Sequence, residues 1–153
     1  MTTILTNAQR LSLNFGLSVS RATAALPQTT QSALFTITGG RILLTSIVGE
    51  VTTVIQTQAN NTKLVSNPTT GTDVDLCAVL SITGKEVGTL FGITGLFSDA
   101  LVGANAGATV IPRNPVVIPI GTLDLSCAAS NTGAVKWDIT YIPLDAGASV
   151  AAA

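Results

Sequence analysis

Residues 134–142 read AVKWDITYI, and this stretch decides the fold because its apolar and polar side chains alternate from Val135 to Tyr141. Successive side chains of a β-strand point to opposite faces of a sheet, so a period of two predicts a strand with one buried face. The predicted buried face carries Val135, Trp137, Ile139 and Tyr141. The predicted solvent face carries Lys136, Asp138 and Thr140.

The segment before it, TLDLSCA over 122–128, alternates in the same way. Leu123, Leu125 and Cys127 fall in the buried phase, whereas Asp124 and Ser126 fall in the solvent phase. Upstream of this strand, VVI (116–118) lies between two prolines, which cannot donate a main-chain hydrogen bond. That position predicts a strand at the edge of a sheet rather than in its centre.

The remaining segments are also rich in β-branched residues and are separated by turn residues. ALFTIT (33–38) and RILLTSIV (41–48) flank Gly39-Gly40, a pair that predicts a β-hairpin. Further strands are predicted at EVTTVIQTQ (50–58), TKLVS (62–66), VDLCAVLSI (74–82) and TLFGIT (89–94), and a long loop at 98–114. With no apolar stripe of helical period, the chain is predicted to be all-β, a single antiparallel β-sandwich or barrel-like domain.

The ends of the chain are predicted to lie outside this domain. Residues 1–32 are interpreted as an extended N-terminal arm with a strand over 11–19, followed by a connector over 21–32. Residues 33–145 form the β domain in this interpretation, and residues 146–153 a C-terminal tail. The apolar phase of the arm strand supplies predicted interaction residues, which are Leu11, Leu13, Phe15, Leu17 and Val19.

Charged residues are scarce in this chain. Asp, Glu, Lys and Arg make up 10% of it, whereas ordinary soluble domains carry about 25%. Such a composition indicates either a membrane protein or a surface that is buried against neighbours. No apolar run approaches the roughly 20 residues that a bilayer requires, and no basic patch is available for a phosphate backbone. We therefore expect a partner in a protein assembly, and neither a membrane nor a nucleic acid.

The absence of histidine excludes catalytic triads and metal sites that depend on imidazole. Asp73 and Asp75 are predicted to share a strand face, which makes a calcium site conceivable, but a solvated face is the favoured interpretation. Cys77 and Cys127 are expected to be two buried thiols, with a disulfide as the alternative. We predict no catalytic residue, no metal and no cofactor, and hence no enzyme.

Trp137 and Tyr141 share one face of their predicted strand, and three interpretations of the pair are open. They are core anchors, a platform for stacking a sugar ring, or an anchor between subunits. They complete the set of predicted interaction residues.

Three segments together resemble small virion structural proteins of tailed bacteriophages. They are LFTITGGRILLTSIVGEVTTVIQTQANNTKL (34–64), GTDVDLCAVLSITG (71–84) and SNTGAVKWDITYIPLDAGASVAAA (130–153). The resemblance implies a capsid decoration, or cement, protein: a homotrimer on the outer surface of the head that clamps neighbouring copies of the major capsid protein, with its N-terminal arm adding a strand to the shell. The alternatives are a tail, neck or fibre component, or a β-sandwich on the particle surface that binds a carbohydrate or a receptor.

Overall fold

The computed structural model of the chain describes Thr6 and residues 16–153, and these residues form two antiparallel β-sheets without a helix. The strands are β1 (Leu17–Ala25), β2 (Gln31–Thr38), β3 (Ile42–Thr53), β4 (Asn61–Pro68), β5 (Val74–Asp75), β6 (Leu80–Ser81), β7 (Leu90–Phe91), β8 (Val116–Ile118), β9 (Gly121–Cys127), β10 (Ala134–Pro143) and β11 (Ser149–Ala152).

The first sheet, sheet A, has the strand order β1-β10-β3-β7, and β8 pairs with another part of β3. The second, sheet B, has the order β11-β2-β9-β4-β5, and β6 also pairs with β4. One apolar core lies between the sheets, with Phe35, Leu123 and Leu125 from sheet B against Leu44 and Trp137 from sheet A. The predicted all-β sandwich is confirmed.

Strand β10 occupies the centre of sheet A, paired with β1 on one side and β3 on the other. Its predicted buried face is confirmed, because the four apolar side chains from Val135 to Tyr141 all lie in the core. Gly49 of β3 lies opposite Trp137, and the indole ring covers it. The ring of Phe91 also stacks on this indole, at a centroid distance of 6.3 Å.

The prediction of a hairpin at Gly39-Gly40 is wrong. The two strands that flank the glycines belong to different sheets, because β2 pairs with β9 and β11 while β3 pairs with β10. Both glycines have positive φ angles, which suits a corner between sheets as well as a hairpin turn. The corner is tied to the segment before β11 by Arg41, whose guanidinium and main-chain N–H donate to the carboxylate of Asp145.

The single strand predicted over 74–82 is also interrupted. Both β5 and β6 run antiparallel to β4, and Leu76 still donates to the Leu64 carbonyl, but Ala78 leaves β4 and bridges to Ala100 instead. The predicted edge position of 116–118 is confirmed, since among the described strands β8 pairs only with β3.

Two segments that the sequence predicts to lie outside the domain contribute strands to the sheets. Residues 17–25 form β1 against β10, whereas the sequence pattern predicts a connector from residue 21 onwards. Residues 149–152, which lie in the predicted tail, form β11 against β2. Both strands are rich in alanine, so main-chain hydrogen bonds hold them without a strong apolar pattern. Of the strand predicted over 11–19, residues 11–15 lie outside the described residues.

Candidate interaction surface

The first exposed feature is the free edge of β1. This strand pairs with β10 on one side, and within residues 16–153 no strand pairs with its other side. Arg21 is its only charged residue, and a register shift between Arg21 and Ala24 interrupts the strand. As far as residues 16–153 show, this edge of nine residues with one charge offers N–H and C=O groups that another extended chain can pair with.

The second feature, here called the apolar row, crosses the outer face of sheet A. It consists of Ile142, Leu43 and Val117, which lie side by side on β10, β3 and β8. Val117 is 51% exposed and Ile142 38%, while Leu43 is half-buried. Neighbouring strands lie about 4.8 Å apart, so the three side chains form a continuous apolar strip.

Towards the other end of this outer face the side chains become polar and then charged. Lys136 lies 3.5 Å from Glu50 and 3.7 Å from Asp138, and the hydroxyl of Ser20 donates to the Asp138 carboxylate. The face therefore has an apolar end and a charged end. A partner that covers the apolar end does not have to strip water from an unpaired charge.

The third feature, here called the loop patch, lies in the long segment between β7 and β8. Its members are Leu96, Phe97, Val110 and Ile111, each between 44% and 59% exposed. The two halves of the segment meet at Thr94, whose carbonyl accepts from the Arg113 N–H at 2.8 Å. Leu96 adjoins Phe97 in the sequence and Val110 adjoins Ile111, so each pair exposes two large apolar side chains that are candidates for association.

Elsewhere, two ion pairs join charged groups on the described surface. Arg41 binds Asp145 at 2.8 Å, and this pair holds the pKa of the Asp145 carboxyl well below its ordinary value. Lys63 binds Asp75 at 2.6 Å on the outer face of sheet B. These two pairs reduce the net charge that a second protein would meet at the corner and on the outer face of sheet B.

The aspartates considered for a calcium site are directed to different partners. Asp75 accepts from Lys63, whereas Asp73 accepts from the Gln31 side chain at 3.1 Å. Asp124, predicted to face solvent, is buried, and its carboxylate accepts from Gln31 at 2.9 Å and from Asn67 at 3.1 Å. Among the described residues, no three Asp, Glu or Cys side chains are grouped in a way that could hold a metal ion.

The predicted interaction residues have different positions. Trp137 and Tyr141 are core residues, 1% and 4% exposed, and the Tyr141 hydroxyl accepts a hydrogen bond from the Val150 N–H. Neither ring is therefore available to a sugar or to a neighbouring subunit, which corrects their assignment as interaction residues. Val19 packs against the core, and Leu17 is 41% exposed at the start of β1. Leu11, Leu13 and Phe15 lie outside the described residues.

The apolar row is not among the predicted interaction residues, although the sequence contains a signal for it. Each of its members directly adjoins an apolar residue of the buried phase: Leu43 precedes Leu44, Val117 follows Val116, and Ile142 follows Tyr141. An apolar residue in the solvent phase of a half-buried strand has no place in the core. It is therefore a candidate for a contact with another molecule.

The two cysteines are free thiols buried in the core. Cys127 lies opposite Thr62 on one side of β4, while the sulfur of Cys77 accepts from the Leu64 N–H on the other side of that strand. Burial raises the pKa of both thiols. The structure therefore supports the expectation of two buried thiols.

The part of the chain that the structure describes contains no helix with the length and apolarity to span a bilayer. No protein-family model, no curated protein and no solved structure matches this chain.

Proposed function

We propose that this chain is a decoration protein of a tailed bacteriophage, which binds the outside of the head and stabilises the lattice of the major capsid protein. The proposal rests on the resemblance of the three segments quoted above and on the character of the surface. The observation that carries it is the apolar row, because an outward strip of Leu43, Val117 and Ile142 has no function in the core of this chain.

In this proposal the protein acts through binding energy alone. Fully burying an exposed Val or Ile side chain contributes about 1.5–3 kcal/mol, so covering the half-exposed Val117 and Ile142 contributes about 1 kcal/mol each. The free edge of β1 adds main-chain hydrogen bonds where an extended segment of a neighbour pairs with it. Repeated at many positions on a shell, contacts of this size raise the free energy needed to separate capsid subunits.

The proposed homotrimer requires more than one contact surface on each copy. A closed ring of three is built from head-to-tail contacts, in which two different patches of each copy meet. The loop patch and the β1 edge are two such patches. With these buried between copies, the apolar row is available to the major capsid protein.

The test is binding of the purified protein to mature heads that lack it, measured by co-sedimentation. Val117→Asp places a charge in the apolar row, and we expect it to weaken binding at least tenfold, because that charge would have to be desolvated. The matched control is Val54→Asp, since Val54 is 54% exposed just beyond the opposite end of β3. Equal binding by the two variants and the unmodified protein would remove the apolar row from the proposal.

The same assay distinguishes the head from other parts of the virion. Isolated tails replace heads in a parallel experiment, and light scattering reports whether the free protein is a trimer. We expect a trimer that sediments with heads and not with tails. Binding to tails alone would favour the alternative of a tail, neck or fibre component.

The contribution of the N-terminal arm requires a truncation that spares β1. Removing residues 1–32 would delete β1 and the first two residues of β2, so the shorter deletion of residues 1–15 is the appropriate one. We expect this variant to remain folded and to bind heads more weakly. Unchanged binding would show that the arm is not part of the contact.

A further inference from the structure

A cavity of about 190 Å³ lies between the two sheets, beside the point where β1 changes register. Its floor is apolar and includes Leu34, Leu125 and the buried indole of Trp137. Arg21, Ala24 and Ser32 also line it, and Ser32 is exposed. The cavity therefore has a mainly apolar lining that includes a few polar side chains.

The local sequence explains why this space is not filled. The register shift between Arg21 and Ala24 displaces the second half of β1, and the alanine there supplies only a methyl group. The six-membered ring of Trp137 lies over Gly49, on the β3 side of β10 and away from β1. No large side chain is therefore left to fill the volume beside β1.

One hydrogen-bond donor of the lining has unused capacity. Arg21, which is half-buried, donates from Nε to the main-chain oxygen of Ala153 at 3.3 Å, and within the described residues its other guanidinium nitrogens form no hydrogen bond or ion pair. A guanidinium with free N–H groups at the wall of an apolar cavity favours a ligand that carries an acceptor, and a carboxylate forms the strongest such pair.

We propose that this cavity binds a small carboxylate with an apolar body, such as an aromatic or short aliphatic acid. An apolar cavity of about 150 Å³ is large enough for benzene, so the volume here fits one ring or a chain of similar size. The carboxylate accepts from the guanidinium of Arg21 in a strong, charge-assisted interaction.

Trp137 is the only tryptophan of the chain, so its signals report on the cavity without interference. Benzoate is the probe, and benzyl alcohol, with the same ring and no charge, is its neutral counterpart. We expect benzoate to change the tryptophan fluorescence saturably and to shift the single indole N–H resonance in an NMR spectrum. Benzyl alcohol is expected to bind at least tenfold more weakly.

Three variants locate the effect. Arg21→Gln should weaken benzoate binding about tenfold by removing the charge, and Ala24→Leu should abolish it by filling the cavity. Ala22→Leu is the matched control, because Ala22 lies exposed on the same strand and does not line the cavity. Circular dichroism establishes that each variant is folded.

The proposal is overturned if benzoate leaves the indole resonance and the fluorescence of the folded protein unchanged. That result would mean that the cavity holds only water. It is also overturned if Ala24→Leu binds benzoate as well as Ala22→Leu does, since the carboxylate would then be bound elsewhere. Neither result bears on the proposed attachment to phage heads.

Discussion

The contact between Gly49 and Trp137 gives the sharpest prediction about stability. A Cβ atom at position 49 would lie 2.8 Å from ring carbons of Trp137, whereas carbon atoms in contact prefer about 3.5–4.0 Å. In Gly49→Ala the indole must therefore move by about 0.7 Å or more, and Phe91 stacks on it. Overpacking of this kind costs about 1–3 kcal/mol.

A second effect acts in the opposite direction. Replacing glycine by alanine reduces the freedom of the unfolded chain, which stabilises a protein by about 0.4–1 kcal/mol when the native backbone tolerates the change. The two effects together predict that Gly49→Ala lowers the free energy of unfolding by about 1–2 kcal/mol. The steric origin is tested by Trp137→Phe, because the smaller ring leaves room for the new methyl group.

The assay is urea unfolding followed by circular dichroism, which works in variants with and without tryptophan. In the Trp137→Phe background we expect Gly49→Ala to be neutral or stabilising, so that the two substitutions are strongly non-additive. Gly107→Ala is the control, since no atom lies within 4 Å of a Cβ placed there. The packing described for sheet A would be refuted if Gly49→Ala had the same free energy of unfolding as the unmodified protein. It would also be refuted if Gly49→Ala lowered that free energy equally with Trp137 and with Phe at position 137.

Three further predictions concern the corner and the thiols. The pKa of Asp145 is lower in the folded protein than its ordinary value of 3.8, because Arg41 pairs with its carboxylate. The pair therefore stabilises the fold above that pH, and this stabilisation is lost as the pH falls further. We expect Asp145→Asn to flatten the dependence of stability on pH below about 4, measured by thermal unfolding. Gly39→Ala should destabilise the protein by about 1–3 kcal/mol in urea unfolding, because its φ is +74° and the added methyl group meets the main chain of Gly147. Both cysteines are buried with raised pKa values, so they should react with a thiol reagent at neutral pH only after unfolding; rapid reaction of the native protein would contradict their burial.

The sequence predicts the fold class well where one face of a strand is buried. The alternation around Trp137 predicts the central strand of sheet A and its buried face, because that strand separates the core from solvent. The pattern gives no information about which strands share a sheet. Gly39-Gly40 therefore predicts a hairpin, whereas long-range pairing with β9 and β10 places its two flanking strands in different sheets.

The candidate surface is less predictable than the core. The alternation shows that Trp137 and Tyr141 share a face of their strand, but it does not show whether that face is buried. In the structure the opposite sheet covers both rings, so both are core residues. Asp124 is in the solvent phase of β9 and is nevertheless buried, and the amide groups of Gln31 and Asn67 compensate its charge in part by donating to one of its two carboxylate oxygens. Such compensation depends on residues that are distant in sequence, and no local pattern reveals it.

We propose that this protein decorates the head of a phage through its outward apolar surface, and this proposal is the central claim. It is tested most directly by electron cryomicroscopy of the virion that contains the chain. We predict density for the two-sheet domain on the outer surface of the head, with the apolar row of Leu43, Val117 and Ile142 covered by a neighbouring protein. Density for the domain in the tail, or on the head with the apolar row facing solvent, would contradict the claim.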